Sequence, residues 1–257
     1  MKIVGIIPAR MAASRFPGKP LAPLAGRPMI EHVYRRAERC PHLAEVHLAT
    51  CDREIYDAVQ RFGGKAIMTA DTHVRCTDRV AEAAQAISAD VIVNIQGDEP
   101  LIHPQAITQL CEAILADPEV PCVNLCNVIT QEADFRNPNQ IKAVCDQSGC
   151  AIYMSRQPIP TTKQWGQTQV LRQLGMIAFR KGFLETFTRL KPTPPGASRI
   201  GGHAPRHRAR VPCQDGRQLF RIFRRGHPRR FARCRRVASD RSDRRRDFRH
   251  RVAARSP

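Results

Sequence analysis

The segment Lys2–Leu21 reads KIVGIIPARMAASRFPGKPL. Its opening run, Lys2–Pro8, is almost wholly apolar, the pattern of a strand buried on both faces of a parallel sheet. After Pro8 the chain carries Arg10, Arg15 and Lys19 among small residues and a glycine. A loop at the carboxyl end of the first strand lies where open α/β sheets bind ligands. Arginine grips phosphate oxygens with a planar fork, and lysine adds a compact charge. Small residues let backbone N–H groups approach an anion. The pattern points to a polyphosphate guest; a solvated basic loop is the other reading of the spacing. The loop is neither Walker A nor G-x-G-x-x-G, so it is not an ordinary P-loop or Rossmann fingerprint.

Working outward, strands and helices alternate. Pro28–Cys40, Arg53–Phe62, Thr77–Ile87 and Pro104–Ala116 read as helices. Ala44–Ala49, Lys65–Thr69, Asp90–Ile95 and Pro121–Val128 read as strands. That alternation predicts an α/β fold with a doubly wound parallel sheet. The strand Asp90–Ile95 runs into Gln96-Gly97-Asp98-Glu99-Pro100, which sets carboxylates at the sheet edge that carries the basic loop. A carboxylate facing a phosphate loop is a Mg²⁺ ligand candidate, the alternative being a plain strand-end turn. From about Asp134 the pattern changes to Ile141–Asp146, Ala151–Tyr153 and Gly175–Phe179 as strands, with Phe183–Thr188 as a helix. Gln157–Val170 reads as a flexible excursion.

The 257 residues carry a formal charge of +19, which by itself suggests a nucleic-acid or membrane-surface partner. The charge is unevenly spread. Residues 1–194 hold 22 basic and 19 acidic side chains, net +3, and residues 195–257 hold 20 basic and 4 acidic, net +16. Every basic residue of the second segment is arginine, and its aromatics are few, against a nucleic-acid module. No run is long and apolar enough for a membrane span, and MKIVGIIPAR is too soon charged for a signal peptide, so a soluble cytoplasmic protein is expected. The ten cysteines form no C-x-x-C and no zinc spacing, and are expected to be reduced and mostly buried.

Taken together, IIPARMAASRFPGKPLAPLAGRPMIEHV, FGGKAIMT, CTDRVAEA, VNIQGDEPLI, NPNQIKAV, IYMSRQPIP and FLETFTRLKPTP fall in order across residues 1–194. The chain thereby resembles the CMP-Kdo synthetases, the 3-deoxy-manno-octulosonate cytidylyltransferases. The resemblance implies a Rossmann-like nucleotidyltransferase fold, GT-A-like, with a mixed, mostly parallel sheet and a smaller dimerisation lobe from about residue 134. It implies a homodimer that uses CTP, a sugar acid (Kdo foremost) and Mg²⁺. Pro8, Ala9, Arg10, Arg15 and Lys19 would hold the triphosphate. Thr77, Asp78, Arg79 and Gln96 would line the nucleotide pocket. Gln96, Arg156 and Gln173 would meet the sugar acid, and Asp98 would bind the metal. Arg10, Lys19 and Asp98 would carry the catalysis. Two departures bear on the sugar acid: Arg75-Cys76 replaces the family's Ser-Gly, and Gln173 replaces a histidine. An amino-substituted octulosonate or a sialic-type acid is the alternative substrate, and a basic-tailed nucleic-acid-binding protein the alternative of another class.

Beyond Pro194 the family's later G-V-D-T-P-E-D motif, which supplies a second metal carboxylate, is missing. The residues Phe223–Phe231, FRRGHPRRF, can be encoded by TTT CGG CGT GGA CAC CCC CGA CGA TTT. Moved by one base, and with the G of Ala232, that string reads F-G-V-D-T-P-D-D-L. Arginine codons shifted this way become Val, Ala, Asp, Glu or Gly, but the Phe, His and Pro positions fit as well. Residues 195–257 are therefore expected to be a disordered segment read out of frame, from one inserted base near the Pro194–Pro195 boundary.

Overall fold

A computed structural model describes residues 1–12, 16–161, 165–166, 168–190 and, as backbone alone, 221–224. The strands in chain order are β1 (Ile3–Pro8), β2 (Pro23–Leu24), β3 (Arg27–Pro28), β4 (Glu45–Thr50), β5 (Lys65–Met68), β6 (Val91–Asn94), β7 (Cys122–Ile129), β8 (Lys142–Cys145), β9 (Ala151–Ser155), β10 (Val170–Arg180) and β11 (Arg221–Arg224). The helices are α1 (Met29–Glu38), α2 (Arg53–Arg61), α3 (Cys76–Gln85), α4 (Pro104–Leu115), α5 (Glu132–Arg136) and α6 (Lys181–Arg189).

The main sheet runs β11-β7-β10-β6-β1-β4-β5. β1 pairs in parallel with β4 and β6, β4 with β5, and β11 with β7. β10 is antiparallel to both β6 and β7, which makes the sheet mixed but mostly parallel. Its central strands are apolar on both sides because both are covered. Ile3 and Ile7 join α1, α2 and α4 in one core, while Val4 and Ile6 join α3 and α6 in the other. β8 and β9 extend the sheet from the first half of β10, around a small core of Cys126, Ala143 and Met154.

Three local differences from the sequence reading have physical causes. The last antiparallel strand is longer than Gly175–Phe179, because it serves two partners in succession: β8 and β7 first, then β7 and β6. The change of partner falls at an irregularity between Gln173 and Ile177, where Gly175 takes φ +75°. The short α5 and the β2–β3 hairpin have too few residues to show a period. The Arg-rich segment, read as lacking any element, includes the four-residue β11 (Arg221–Arg224) on the outer edge of β7, where an Ile-Phe pair suits a strand. The rest of residues 191–257 lies outside the described residues.

Among the described residues no helix is long and apolar enough to cross a membrane. Cys40, Cys51, Cys76, Cys111, Cys126 and Cys145 carry free thiols, and Cys40, Cys111, Cys122, Cys126 and Cys150 are buried.

Candidate functional site

β1, β4 and β6 are parallel, so their carboxyl ends open on one edge. The chain leaving β1 is fastened there. Ala9 N–H donates to Ala49 O at 2.9 Å, Met11 N–H to a carboxylate oxygen of Asp52 at 2.8 Å, and Gly18 N–H to Met11 O at 3.0 Å. Pro8 and Ala9 are buried, and Arg10 is half-buried between the two anchored amides. Arg15 lies outside the described residues. Lys19 opens a short 3-10 turn (Lys19–Leu21).

The second wall is the turn after β6. Lys19 Nζ reaches it, lying 3.3 Å from Asp98 O and 3.5 Å from Asp98 Oδ2. Both side chains are about half-exposed, at 34% and 53%. Such a pair is worth only ~0–1 kcal/mol, so each partner is available to a ligand. Gly97 lets the turn close against β1: a Cβ there would stand 2.6 Å from Pro8 O and 3.3 Å from Ile30 Cδ1. Burial and the Asp98 carboxylate push the Glu99 carboxyl up, with Arg172 and Lys19 working against them.

The third wall starts at α3, with Thr77 and Asp78 in its first turn. Arg79 is buried at 3% exposure; its Nη1 donates to Thr69 Oγ1 at 2.6 Å, and its Nη2 has no hydrogen-bond partner. A buried guanidinium with an unused N–H₂ is costly. Cys76, beside these residues, feels the charges of Arg10, Asp98 and Arg79; burial is the main influence and raises its thiol pKa.

The β10 irregularity supplies the fourth wall. Gln96 Nε2 donates to Gly175 O at 3.0 Å, and a Cβ on Gly175 would meet Gln96 Cγ at 2.9 Å. Gln173 is buried, and its Oε1 lacks a partner. Lys142 stands opposite Arg172 in the β8–β10 register, and its ammonium donates to the carbonyls of Asn137, Gln140 and Arg156. Arg156 Nη1 donates to Pro138 O at 2.9 Å, tying this cation to the same lobe backbone.

The structure thus gathers Arg10, Lys19, Asp98 and Gln96 at one sheet edge, with Thr77–Arg79 on α3 and Gln173 on β10 beside them. Sequence reasoning missed Asp52, Lys142 and Arg172 as neighbours of this site. Asp52 lies two residues beyond β4, a strand of the same edge, Lys142 lies inside the quoted NPNQIKAV, and Arg172 immediately precedes Gln173; those positions were their available signal. Among the described residues no three of His, Cys, Asp and Glu cluster as a ready metal site.

A family model described as cytidylyltransferase matches residues 4–219. The 3-deoxy-manno-octulosonate cytidylyltransferase of Geobacter metallireducens is 42% identical over 205 residues, covering 76% of this chain and 81% of the relative. The Escherichia coli protein of the same name is 41% identical over 194 residues, covering 76% and 78%. A solved CMP:2-keto-3-deoxy-manno-octonic acid synthetase complexed with CTP superposes with a TM-score of 0.78 at 36% identity, over 87% of this chain and 90% of that one. The chain belongs to the cytidylyltransferase family.

Proposed function

We propose that this chain transfers CMP from CTP to the anomeric hydroxyl of 3-deoxy-manno-octulosonate and releases pyrophosphate, in the cytoplasm, for lipopolysaccharide assembly. The observation that carries the reading is the meeting of Lys19 with Asp98 across the ends of β1 and β6. It sets a phosphate-binding cation beside a metal-binding carboxylate, the pairing that a nucleoside triphosphate requires. Arg10, Arg15 and Lys19 neutralise the triphosphate and take up the charge that develops on departing pyrophosphate. Thr77 and Asp78 face the nucleotide, and Arg79, held by Thr69, supports that wall from beneath. Gln96, Gln173 and Arg156 orient the sugar acid so that its hydroxyl oxygen bonds to the α-phosphorus as the bond to pyrophosphate breaks, the hydroxyl proton leaving to solvent. No covalent enzyme intermediate is required; positioning and charge neutralisation supply the rate.

The donor set suits Mg²⁺, which prefers one or two carboxylates completed by phosphate oxygens and water over an all-protein cage. Asp98 would hold it, and when bound it supplies further charge neutralisation of the triphosphate. The β8–β9 lobe is the proposed dimerisation surface. The buried, unpartnered amide oxygen of Gln173 favours a second reading in the choice of sugar acid, because a neutral amide replaces a titratable imidazole there. Pyrophosphate release from CTP with a panel of octulosonate, amino-octulosonate and sialic-type acids tests both readings. Product with Kdo alone supports the first, and product only with another acid overturns it. A steep salt-dependent affinity for DNA or RNA, with no CTP turnover, would instead favour a nucleic-acid role for the Arg-rich segment.

We infer further that residues 195–257 are read from a shifted frame. The support is the net +16, carried by arginine alone, and the compatible motif at Phe223–Phe231. Gly226 then stands where a second metal-binding aspartate belongs, and the chain as written is expected to turn over little or not at all. The nucleotide sequence across codons 190–200 tests this: stops or no such motif in the other frame would refute it.

A further inference from the structure

Asp52 occupies the position that begins α2, with φ −101° and ψ 120°, the extended backbone of an N-cap. Aspartate is a preferred residue there because its side chain accepts an N–H from its own helix. Here that bond is absent. The carboxylate is turned across the sheet edge, where Oδ2 accepts Met11 N–H at 2.8 Å and lies 3.6 Å from the Cys51 thiol. The Asp52 backbone is fixed independently, its N–H donating to Thr50 Oγ1 at 3.1 Å and its carbonyl accepting Tyr56 N–H at 3.1 Å. A carboxylate whose own backbone is tied by two hydrogen bonds thus holds the amide of Met11.

Met11 is the root of the basic loop. Its N–H is held by Asp52, and its C=O accepts Gly18 N–H at 3.0 Å, closing the loop on itself. Arg10 immediately precedes the clamp, and Lys19 immediately follows its far side. We propose that Asp52 is a positioning residue that gives up capping α2 to set Arg10 and Lys19 at the spacing a triphosphate needs. The inference rests on the reading of this loop as a triphosphate cradle.

Electrostatics gives the test a sign. A carboxylate beside a polyanion site repels the ligand, so its charge alone weakens CTP binding. If charge were its only effect, Asp52→Asn and Asp52→Ala would both tighten binding, to a similar degree. A positioning role predicts a split. Asp52→Asn keeps an acceptor oxygen and should bind CTP at least as tightly as the unsubstituted chain. Asp52→Ala should bind about tenfold more weakly despite the favourable loss of charge. The measurements, on the chain restored to the alternate frame after Pro194 with and without each substitution, are CTP titration by calorimetry and amide hydrogen exchange at Met11 without nucleotide. Protection of the Met11 amide should survive in Asp52→Asn and collapse in Asp52→Ala. Equal CTP affinities, tightening in both variants, equal weakening in both, or an unchanged Met11 amide in Asp52→Ala would each overturn the proposal. If the unsubstituted chain binds no CTP, the cytidylyltransferase reading fails, and the positioning role falls with it. A split at the Met11 amide would then leave Asp52 only a structural clamp on the loop.

Discussion

Gly97→Ala puts the geometry of the metal-side wall to a direct test. The added methyl would lie 2.6 Å from Pro8 O, whereas ordinary contact begins near 3.4 Å, so a displacement of roughly 0.8 Å is required. Pro8 cannot supply it. Pro8 ends β1, the next amide, Ala9 N–H, donates to Ala49 O, and Ile95 N–H donates to Ile6 O one turn of the pleat away. The turn carrying Asp98 must move instead. Misplacing a reacting group by about 1 Å can cost up to ~100-fold, so kcat/KM should fall about 10- to 100-fold, or ~1.4–2.7 kcal/mol of transition-state stabilisation. Overpacking should also lower folding stability by ~1–3 kcal/mol. CTP affinity should change less, because Arg10 and Lys19 belong to the other wall. The assay is continuous pyrophosphate release by a chain restored to the alternate frame after Pro194, with thermal melts alongside. Gly182→Ala is the control, since a Cβ there meets nothing within 4 Å. Unchanged kcat/KM in Gly97→Ala would refute the claim that this turn is held in register by its contact with β1.

Other consequences follow from single contacts. Lys19→Ala should weaken CTP binding about tenfold or more while leaving the melting temperature nearly unchanged, because its half-exposed pair with Asp98 adds little to folding; calorimetry and a thermal melt separate the two effects, and a large loss of stability with unaltered affinity would count against it. Hydrogen bonds from Lys2, then Lys65 and His47, hold the Glu45 carboxyl down to about 2 from an ordinary 4.5. That contribution to stability is complete above about pH 4.5 and is lost as the pH falls through about 2. The stability gap between the unsubstituted chain and Glu45→Gln, measured by denaturant unfolding, should therefore narrow across that window; a gap independent of pH would contradict it. Gln173→His should alter KM for the sugar acid while leaving CTP affinity within about twofold, since a change of ring for amide lies on the β10 wall alone; the substrate panel measures it, and a shift in CTP affinity of comparable size would place Gln173 elsewhere.

The parallel half of the sheet was legible because its strands are short apolar runs, each followed by a periodic helix. Lys2–Pro8 and Asp90–Ile95 needed no tertiary information, since burial on both faces writes itself into every position. The basic loop and the QGDEP turn were legible for a related reason: their charges interrupt apolar strands at the same edge. The far wall was harder. β10 changes partners midway, and that is a property of three strands together, so a linear pattern showed only its second half. Asp52 was hidden by its own plausibility, because an aspartate before a helix reads as a cap until its carboxylate is seen bonded to Met11. Lys142 was hidden because a lysine in an exposed-looking motif gives no sign that three carbonyls surround its ammonium.

The most direct measurement is CTP- and Kdo-dependent formation of pyrophosphate, with the sugar nucleotide identified by phosphorus NMR, for the frame-restored chain and the chain as written side by side. The expected result is equimolar pyrophosphate and CMP-Kdo from the restored chain, abolished by Asp98→Ala, with little or none from the chain as written. No CMP-Kdo from the restored chain, or turnover that survives Asp98→Ala, would contradict the assignment.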